Sequence, residues 1–365
     1  MDKISELRNL LSEVFTWNKS RIDCLSKMLV AMIIVRTVNL REIAVAFSSH
    51  TSEDSRYKRL KRFFAHFKMD YVVLARWLFN LFYSKDDKVY LSLDRTNWYW
   101  GKSKINVFVL SVTYEGIAIP VFWELLDKAG NASAQEHIDL ISRFIRYFNK
   151  SCIVGVLGDR EFASSKLFAW CINQNIPFYI RIKDNAEVTF RNGSICSARD
   201  LFNKLNLKEQ MTSGSLVSVY KCKIYLSASR SERGELMVVA TNQPPKNAIA
   251  IYLRRWEIEC LFSCLKGRGF RFESTHITQP DRIKKLVGVL AIAFCWAHKV
   301  GEWRNTCRPI KMNKYKDAKR PQYSYFRYGL NLLRDNVINQ FTSDTLTACI
   351  NILRCSTSYP SICFN

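Results

Sequence analysis

The chain has 365 residues, of which 48% are hydrophobic and 13% aromatic, and this composition excludes a disordered protein. The formal net charge is +23, from 55 Lys and Arg against 32 Asp and Glu, an excess that repels itself unless a polyanion such as nucleic acid binds. No apolar run reaches the roughly 18 residues that span a bilayer. The 12 cysteines are scattered and lack a CxxC pair, which is typical of a reduced cytosol. We therefore predict a cytoplasmic protein that binds nucleic acid and no membrane.

Residues 1–85 have the apolar spacing of α-helices, and one of these helices is strongly basic. In the sequence SRYKRLKRFFAHFK, Arg59 and Arg62 are among the cations that decorate a helix whose apolar side carries three phenylalanines. A small helical region with one basic helix predicts a DNA-binding region with Arg59 and Arg62 among its contacts. The alternative is a surface helix whose cations are only solvated.

From residue 86 the periodicity changes to that of strands. Three apolar runs at 89–98, 105–116 and 117–126 are followed by a helix at 134–149, a strand at 151–157, a helix at 162–174 and a strand at 177–183. This order predicts an α/β fold, in which helices cover a mixed sheet. We assign 86–183 to the first part of this α/β core.

The remainder of the chain divides into three segments by composition. Residues 184–246 contain several Asn-Gly and Ser-Gly type turns between short strand-like runs, and we interpret them as a β-rich insertion. Residues 247–303 are again helical and form the second part of the core, with Leu286 to Trp296 as a buried helix. Residues 304–365 form a basic helical C-terminal region, expected to contact DNA or a second copy of the chain.

A helix predicted to begin near Asn247 carries an ordered set of polar side chains. With 100° of rotation per residue, Tyr252, Arg255, Glu259 and Lys266 lie on one narrow stripe. A carboxylate beside cations and a phenol is suited to binding a metal ion and a phosphate. A solvated charged face with an internal Arg–Glu pair explains the stripe equally well.

Two aspartates supply possible partners for Glu259. Asp94 and Asp159 are each predicted to end a strand, where side chains of an α/β sheet meet solvent. Three converging carboxylates are suited to two Mg²⁺ or Mn²⁺ ions, which support in-line displacement at phosphorus. Taken singly, either aspartate could instead be a turn or helix-cap residue.

The segments LSLDRTNW and VLGDREF, together with the spacing Y-(2)-R-(3)-E-(6)-K from Tyr252 to Lys266, resemble the bacterial DDE transposases of the insertion sequence four family. The resemblance implies an RNase H-like (retroviral-integrase-like) mixed sheet with a β insertion before the catalytic Glu, flanked by helical N-terminal and C-terminal regions. It further implies a metal-binding catalytic triad of Asp94, Asp159 and Glu259, with Tyr252, Arg255 and Lys266 holding DNA phosphates.

The function implied is that of a transposase with two Mg²⁺ (or Mn²⁺) ions. Such an enzyme cleaves the ends of its element by hydrolysis and joins the 3′-OH ends to target DNA by transesterification. The implied partners are double-stranded DNA, as element end and as target, and a second copy of the chain in a paired-end complex in the bacterial cytoplasm. Two alternatives remain: a non-catalytic regulator that binds DNA ends, and an RNase H-like nuclease without strand transfer.

Overall fold

The computed structural model describes residues 3–126, 130–315, 318–339 and 343–354. The chain separates into two compact units. The sheet unit comprises Lys85–Asn97 and Asn106–Leu261, and the helical unit comprises Met1–Ser84, Trp98–Ile105 and Phe262–Asn365. The division into five segments predicted above is a finer one and stays a prediction.

The sheet unit is built on a mixed sheet whose described part has 11 strands in the order β3-β2-β1-β4-β5-β11-β10-β9-β6-β7, with β8 paired to β10. The strands are β1 Val89–Trp100, β2 Ser103–Tyr114, β3 Ile117–Leu125, β4 Ile153–Gly158, β5 Phe178–Ile182, β6 Glu187–Thr189, β7 Ile195–Ser197, β8 Gln210–Thr212, β9 Val217–Val219, β10 Cys222–Arg230 and β11 Leu236–Thr241. The strands predicted at 89–183 are confirmed, and the strands of 184–246 continue the same sheet beyond β5.

The centre of the sheet is parallel and tightly packed. Strand β4 pairs in parallel with β1 on one side and with β5 on the other. A strand covered on both faces is apolar along its length, as the sequence IVGVLG is. A Cβ atom on Gly155 would lie 2.9 Å from the ring of Tyr179 and 3.0 Å from that of Tyr90, so a larger residue would require these rings to shift.

The prediction that Asp94 ends a strand is wrong in one respect. Strand β1 continues to Trp100, but its parallel pairing with β4 stops at Leu93, opposite Gly158. Beyond that point β1 continues as a strand beside β2, its neighbour on the other side. Asp94 is therefore the first residue of β1 beyond its pairing with β4.

Three helices of the sheet unit begin at a serine whose side chain caps the first turn. In the helix predicted at 134–149, Ser133 and Glu136 form a capping box, which satisfies the first free amide groups. Its apolar side then buries Ile138, Ile141 and Phe144. The helices are α6 Ala134–Phe148, α7 Ser165–Asn173, α8 Ala198–Leu201 and α9 Ala248–Leu253, followed by α10 Trp256–Leu265, whose last residues enter the helical unit.

The helical unit contains the helices α1 Lys3–Val14, α2 Lys19–Val35, α3 Leu40–Ala46, α4 Glu53–His66, α5 Tyr71–Asn80, α11 Pro280–Cys307, α12 Tyr325–Ile338 and α13 Ser343–Asn351, together with the hairpin β12 Met312–Tyr315 and β13 Ala318–Pro321. The helical N-terminal region and the buried helix at Leu286–Trp296 are confirmed. The basic segment after Arg304 includes this hairpin, and Lys316 lies outside the described residues.

Helix α11 is the core of the helical unit, since it is buried on all sides over most of its length. It packs closely on α12 at two glycines. A Cβ atom on Gly301 would lie 1.8 Å from the carbonyl oxygen of Tyr325, and one on Gly329 would lie 1.9 Å from that of Ala297. None of the helices in the described ranges has the length and apolarity needed to cross a membrane.

Candidate active site

Asp94 lies in β1, and Asp159 directly follows β4, the parallel strand next to it. Their preceding residues, Leu93 and Gly158, are paired in register, so both carboxylates follow the last paired positions. One oxygen of Asp94 accepts a hydrogen bond from the amide of Arg95, and one of Asp159 accepts a bond from the amide of Arg160, each at 2.7 Å. Asp159 therefore does cap the turn that follows it, which was the alternative to a metal-binding role. This cap uses only one of its two carboxylate oxygens.

Arg255 brings Asp94 and Glu259 together. Its Nη1 lies 3.4 Å from Oδ2 of Asp94, and its Nη2 lies 2.5 Å from Oε1 of Glu259. Only 11% of the Arg255 side chain is exposed, so the two contacts are made largely away from water. Two carboxylates that are 165 positions apart in the chain therefore share one guanidinium group.

A break between α9 and α10 places Arg255 there. The sequence predicted one continuous helix from Tyr252 to Lys266, which is wrong at Arg254 and Arg255. The amide of Arg255 bonds to the carbonyl of Tyr252, and that of Ile258 bonds to the carbonyl of Arg255, so this stretch has the tighter three-residue turn. Such a turn rotates by about 120° per residue instead of 100°, and the uniform wheel therefore does not apply across it.

Tyr252 is buried, and its ring packs among Leu157, Tyr179 and Ile249. Burial raises the pKa of the Tyr252 phenol, which Arg255 lowers through its charge and a side-chain hydrogen bond and Asp159 raises through its charge. The charges of Arg255 and of Asp159 thus both act on the Tyr252 hydroxyl. The Arg255 guanidinium lies 5.9 Å from the ring centre of Tyr252, and the tyrosine itself is almost fully covered.

The charges around Asp94 are only partly balanced. The pKa of Asp94 is raised to about 6, chiefly by burial and further by the carboxylates of Glu161 and Glu259, while the Arg95 amide and the Arg255 charge oppose the rise. Burial by itself would lower the pKa of Arg255, but Tyr252, Glu259 and Asp94 raise it above its ordinary value. The site holds its negative charge beside a guanidinium that stays protonated.

Sequence reasoning missed a second ion pair at this edge. Arg95 donates from Nε to Oε1 of Glu161 at 2.9 Å and from Nη2 to Oε2 at 2.6 Å, a bidentate contact. Arg95 also bonds to Asn131 and to the carbonyl of Gly130. The available signal was that each aspartate is followed directly by arginine, in Asp94-Arg95 and Asp159-Arg160. This pair holds together the segments that carry both aspartates.

The other predicted DNA contacts lie in the helical unit. Lys266 pairs with Glu273 at 2.6 Å, and its ammonium lies 5.9 Å from the ring centre of Trp98. Arg59 is held by Asp23 at 2.9 Å and by the carbonyl of Ser20. Arg62 is exposed on the same helix. Of these three side chains, Arg62 is therefore the one that presents its charge to solvent.

The model of the Transposase DDE domain family matches residues 85–296, which is more than half of the chain. The chain belongs to this family. It is a DNA transposase, as the sequence predicted. The matched range includes the three predicted carboxylates and the whole of the Tyr252–Lys266 signature.

Among solved structures, the chain is similar to a piggyBac transposase determined by cryo-electron microscopy as a synaptic complex with hairpin DNA. The TM-score is 0.50 at 10% identity, and the match covers 99% of this chain and 80% of that one. The likeness concerns the fold, and the predicted RNase H-like α/β class is confirmed. No curated protein sequence matches the chain.

Proposed function

We propose that this transposase is of the insertion sequence four type and that Asp94, Asp159 and Glu259 are its catalytic carboxylates. The observation that carries the proposal is the sharing of one guanidinium, that of Arg255, by Asp94 and Glu259. The order and spacing of the Tyr252–Lys266 signature support the same assignment. Asp159 joins the set because it follows the strand paired in register with that of Asp94.

The donor set fits divalent cations chemically. Carboxylate oxygens are hard ligands that suit Mg²⁺ and Mn²⁺, and the charges of Glu161 and Glu259 oppose ionisation of Asp94. In the described ranges, no group of three acidic, His or Cys side chains is arranged to hold one ion. For Asp94 and Glu259 we attribute this to Arg255. Its guanidinium contacts both carboxylates and balances their charge in place of a metal ion.

We infer that Arg255 changes partners when substrate binds. A guanidinium fork matches a phosphate as well as a carboxylate. Transfer of Arg255 from the carboxylates to a DNA phosphate would free Asp94 and Glu259 to hold two Mg²⁺ or Mn²⁺ ions. Those ions, when bound, would activate the attacking oxygen and stabilise the leaving oxygen of the displacement. Tyr252 would orient Arg255, and Lys266 would leave Glu273 for a second phosphate.

The partners proposed are element-end DNA, target DNA and a second copy of the chain. The net charge of +23 suits a polyanionic partner. The structural neighbour was determined in a complex with hairpin DNA. Hydrolysis would release the ends, and attack of the 3′-OH on target DNA would join them, with two copies of the chain acting on paired ends.

The test is cleavage and joining of a duplex that carries the ends of the protein's own element, with Mg²⁺ present. Wild type is expected to give cut and joined products, whereas Glu259→Gln is expected to give neither and to bind the duplex as tightly as wild type. The matched control is Glu257→Gln on the same helix, which removes an equal charge from a carboxylate paired to Arg254.

The possible outcomes separate the three functions. Equal cutting by wild type and Glu259→Gln would overturn the catalytic assignment. Cut product without joined product would indicate a nuclease of the same fold. Tight binding of the ends by wild type without any cutting would indicate a regulator that binds DNA ends.

A further inference from the structure

The helical unit carries a cluster of four arginines that the proposed chemistry does not use. We call Arg36, Arg271, Arg327 and Arg334 the arginine cluster. Arg36 follows the C-terminus of α2, Arg271 lies in the turn after α10, and the other two lie on α12. None of the four forms an ion pair with a carboxylate among the described residues.

Contacts between these three segments fix the cluster. Nη2 of Arg36 donates to the carbonyl of Arg268 at 3.1 Å, and Nε of Arg334 donates to the carbonyl of Ile34 at 3.0 Å. The turn itself packs on α12, since the rings of Phe270 and Phe326 lie 5.9 Å apart. The end of α2, the turn after α10 and helix α12 are thus held together, and the charges of Arg271, Arg327 and Arg334 all act on Arg36.

Arg36 is the centre of the cluster and is poorly satisfied. Its Nε is buried and has no hydrogen-bond partner within the described part of the chain. Its backbone has a φ of 55°, in the left-handed region that a side chain with a Cβ rarely adopts, and Arg271 has a φ of 49°. Burial lowers the pKa of Arg36, and the charges of Arg327, Arg334 and Arg271 lower it further.

Capping of α2 does not account for so much charge. The C-terminus of a helix carries about half of a negative charge, and Arg334 satisfies the carbonyl of Ile34 with one of its five N–H donors. Four guanidinium groups therefore keep most of their donors and nearly all of their charge. An anion with several acceptor oxygens would accept hydrogen bonds from these donors and balance this charge.

The surface continues from Arg334 into an open cavity of about 530 Å³, which Asp335 also lines. Arg304 lies in the same cavity, with its guanidinium 4.1 Å from the ring centre of Tyr328. The ring of Tyr323 stacks on that of Tyr328 at 6.2 Å and 10°. The cavity therefore adds the charge of Arg304 to the surface that begins at Arg334.

We propose that the arginine cluster binds backbone phosphates of duplex DNA, independently of base sequence. The inference rests on the proposed function, because it takes DNA as the substrate. It assigns to the helical unit a phosphate contact of its own, formed entirely by residues outside the sheet unit that carries the three carboxylates. The contact would raise affinity for any duplex and leave the choice of element end to other residues.

The experiment measures affinity for a labelled duplex of unrelated sequence over a range of salt concentrations. The variant is Arg327→Gln with Arg334→Gln, and we expect a loss on the order of tenfold in affinity and a decrease of about two in the slope of log affinity against log salt. The control of equal charge is Lys19→Gln with Lys204→Gln, at exposed positions outside the cluster, and it should change the slope little.

Two further variants keep the proposal falsifiable if the double variant unfolds. Arg271→Gln alters an exposed side chain of the turn and should reduce the slope by about one, whereas Arg327→Lys with Arg334→Lys keeps the charge and should keep the slope. The inference would be overturned if wild type bound DNA and the glutamine variants had the same slope of log affinity against log salt as the control. Failure of wild type to bind any duplex would overturn the proposed function as well.

Discussion

One group of arginines in the sheet unit is paired with carboxylates, and one group in the helical unit is not. In the sheet unit, Arg255 contacts Asp94 and Glu259. Arg95 donates two hydrogen bonds to the Glu161 carboxylate, one from Nε and one from Nη2. In the helical unit, the arginine cluster has no carboxylate partner within the described ranges. A paired arginine can organise a reacting centre, while an unpaired one offers its charge to a partner. The net charge of the chain is therefore a poor guide to where DNA binds, and the pairing of each cation is a better one.

The largest expected effect comes from removing a paired carboxylate at the edge of the sheet. Asp94→Asn should lower the rate of end cleavage by on the order of a thousandfold, because charge stabilisation at a reacting phosphorus is lost. Single-turnover cleavage with Mg²⁺ measures the rate, and a mobility-shift assay measures binding. Normal cleavage by this variant would show that the carboxylates of the sheet unit are paired for structural reasons only.

The next effect concerns the pair that sequence reasoning missed. Arg95→Met should lower the free energy of unfolding by about 3 to 5 kcal/mol, since it leaves the Glu161 carboxylate half-buried without its partner. Chemical denaturation measures the change. Arg160→Gln is the matched control, because this neighbouring arginine is exposed, and a similar loss in both variants would contradict the structural role of Arg95.

A buried carboxylate in the helical unit provides a pH test of pairing. Glu302 contacts Lys299 at 2.7 Å and His298 at 3.1 Å, and although burial raises its pKa, these partners lower it to about 2 from 4.5. Because the pKa is lower in the folded state, the stabilisation is present above pH 4.5 and is lost as pH falls towards 2. At roughly 1.4 kcal/mol per pKa unit it amounts to about 3 kcal/mol.

Thermal unfolding between pH 7 and pH 2.5 measures this loss, and Glu302→Gln should remove that part of the acid sensitivity. An unchanged acid profile in the variant would show that Glu302 is not held ionised by its two partners.

The smallest effects separate two arginines of helix α4. Arg59→Gln should lower the free energy of unfolding by about 1 kcal/mol, because it breaks the contact with Asp23. Arg62→Gln should leave stability unchanged and weaken DNA binding, since its side chain is exposed. Melting curves and duplex affinities measured on both variants test the distinction, and a reversal of the two phenotypes would contradict it.

Much of the fold was predictable because its signals are local. The strands at 89–183 follow from runs of β-branched and aromatic residues, and α6 follows from its capping box. The break at Arg254 was not predictable, since no Pro or Gly marks it. Its tight turn is accompanied by burial of Tyr252 against Leu157 and Tyr179, which are far away in the sequence. The pairing of Arg95 with Glu161 depends in the same way on two strands meeting.

The sequence by itself determined the chemistry that is available: the two aspartates after apolar runs, the ordered Tyr, Arg, Glu and Lys, and the basic balance of the chain. Residue types and their spacing are written in the sequence, and the family match agrees with the transposase they predicted. Only the tertiary structure decided which cations are paired. Arg255 meets Asp94 across the sheet unit, whereas Arg36 meets three further arginines, because long-range packing and not local spacing sets the distance between charges.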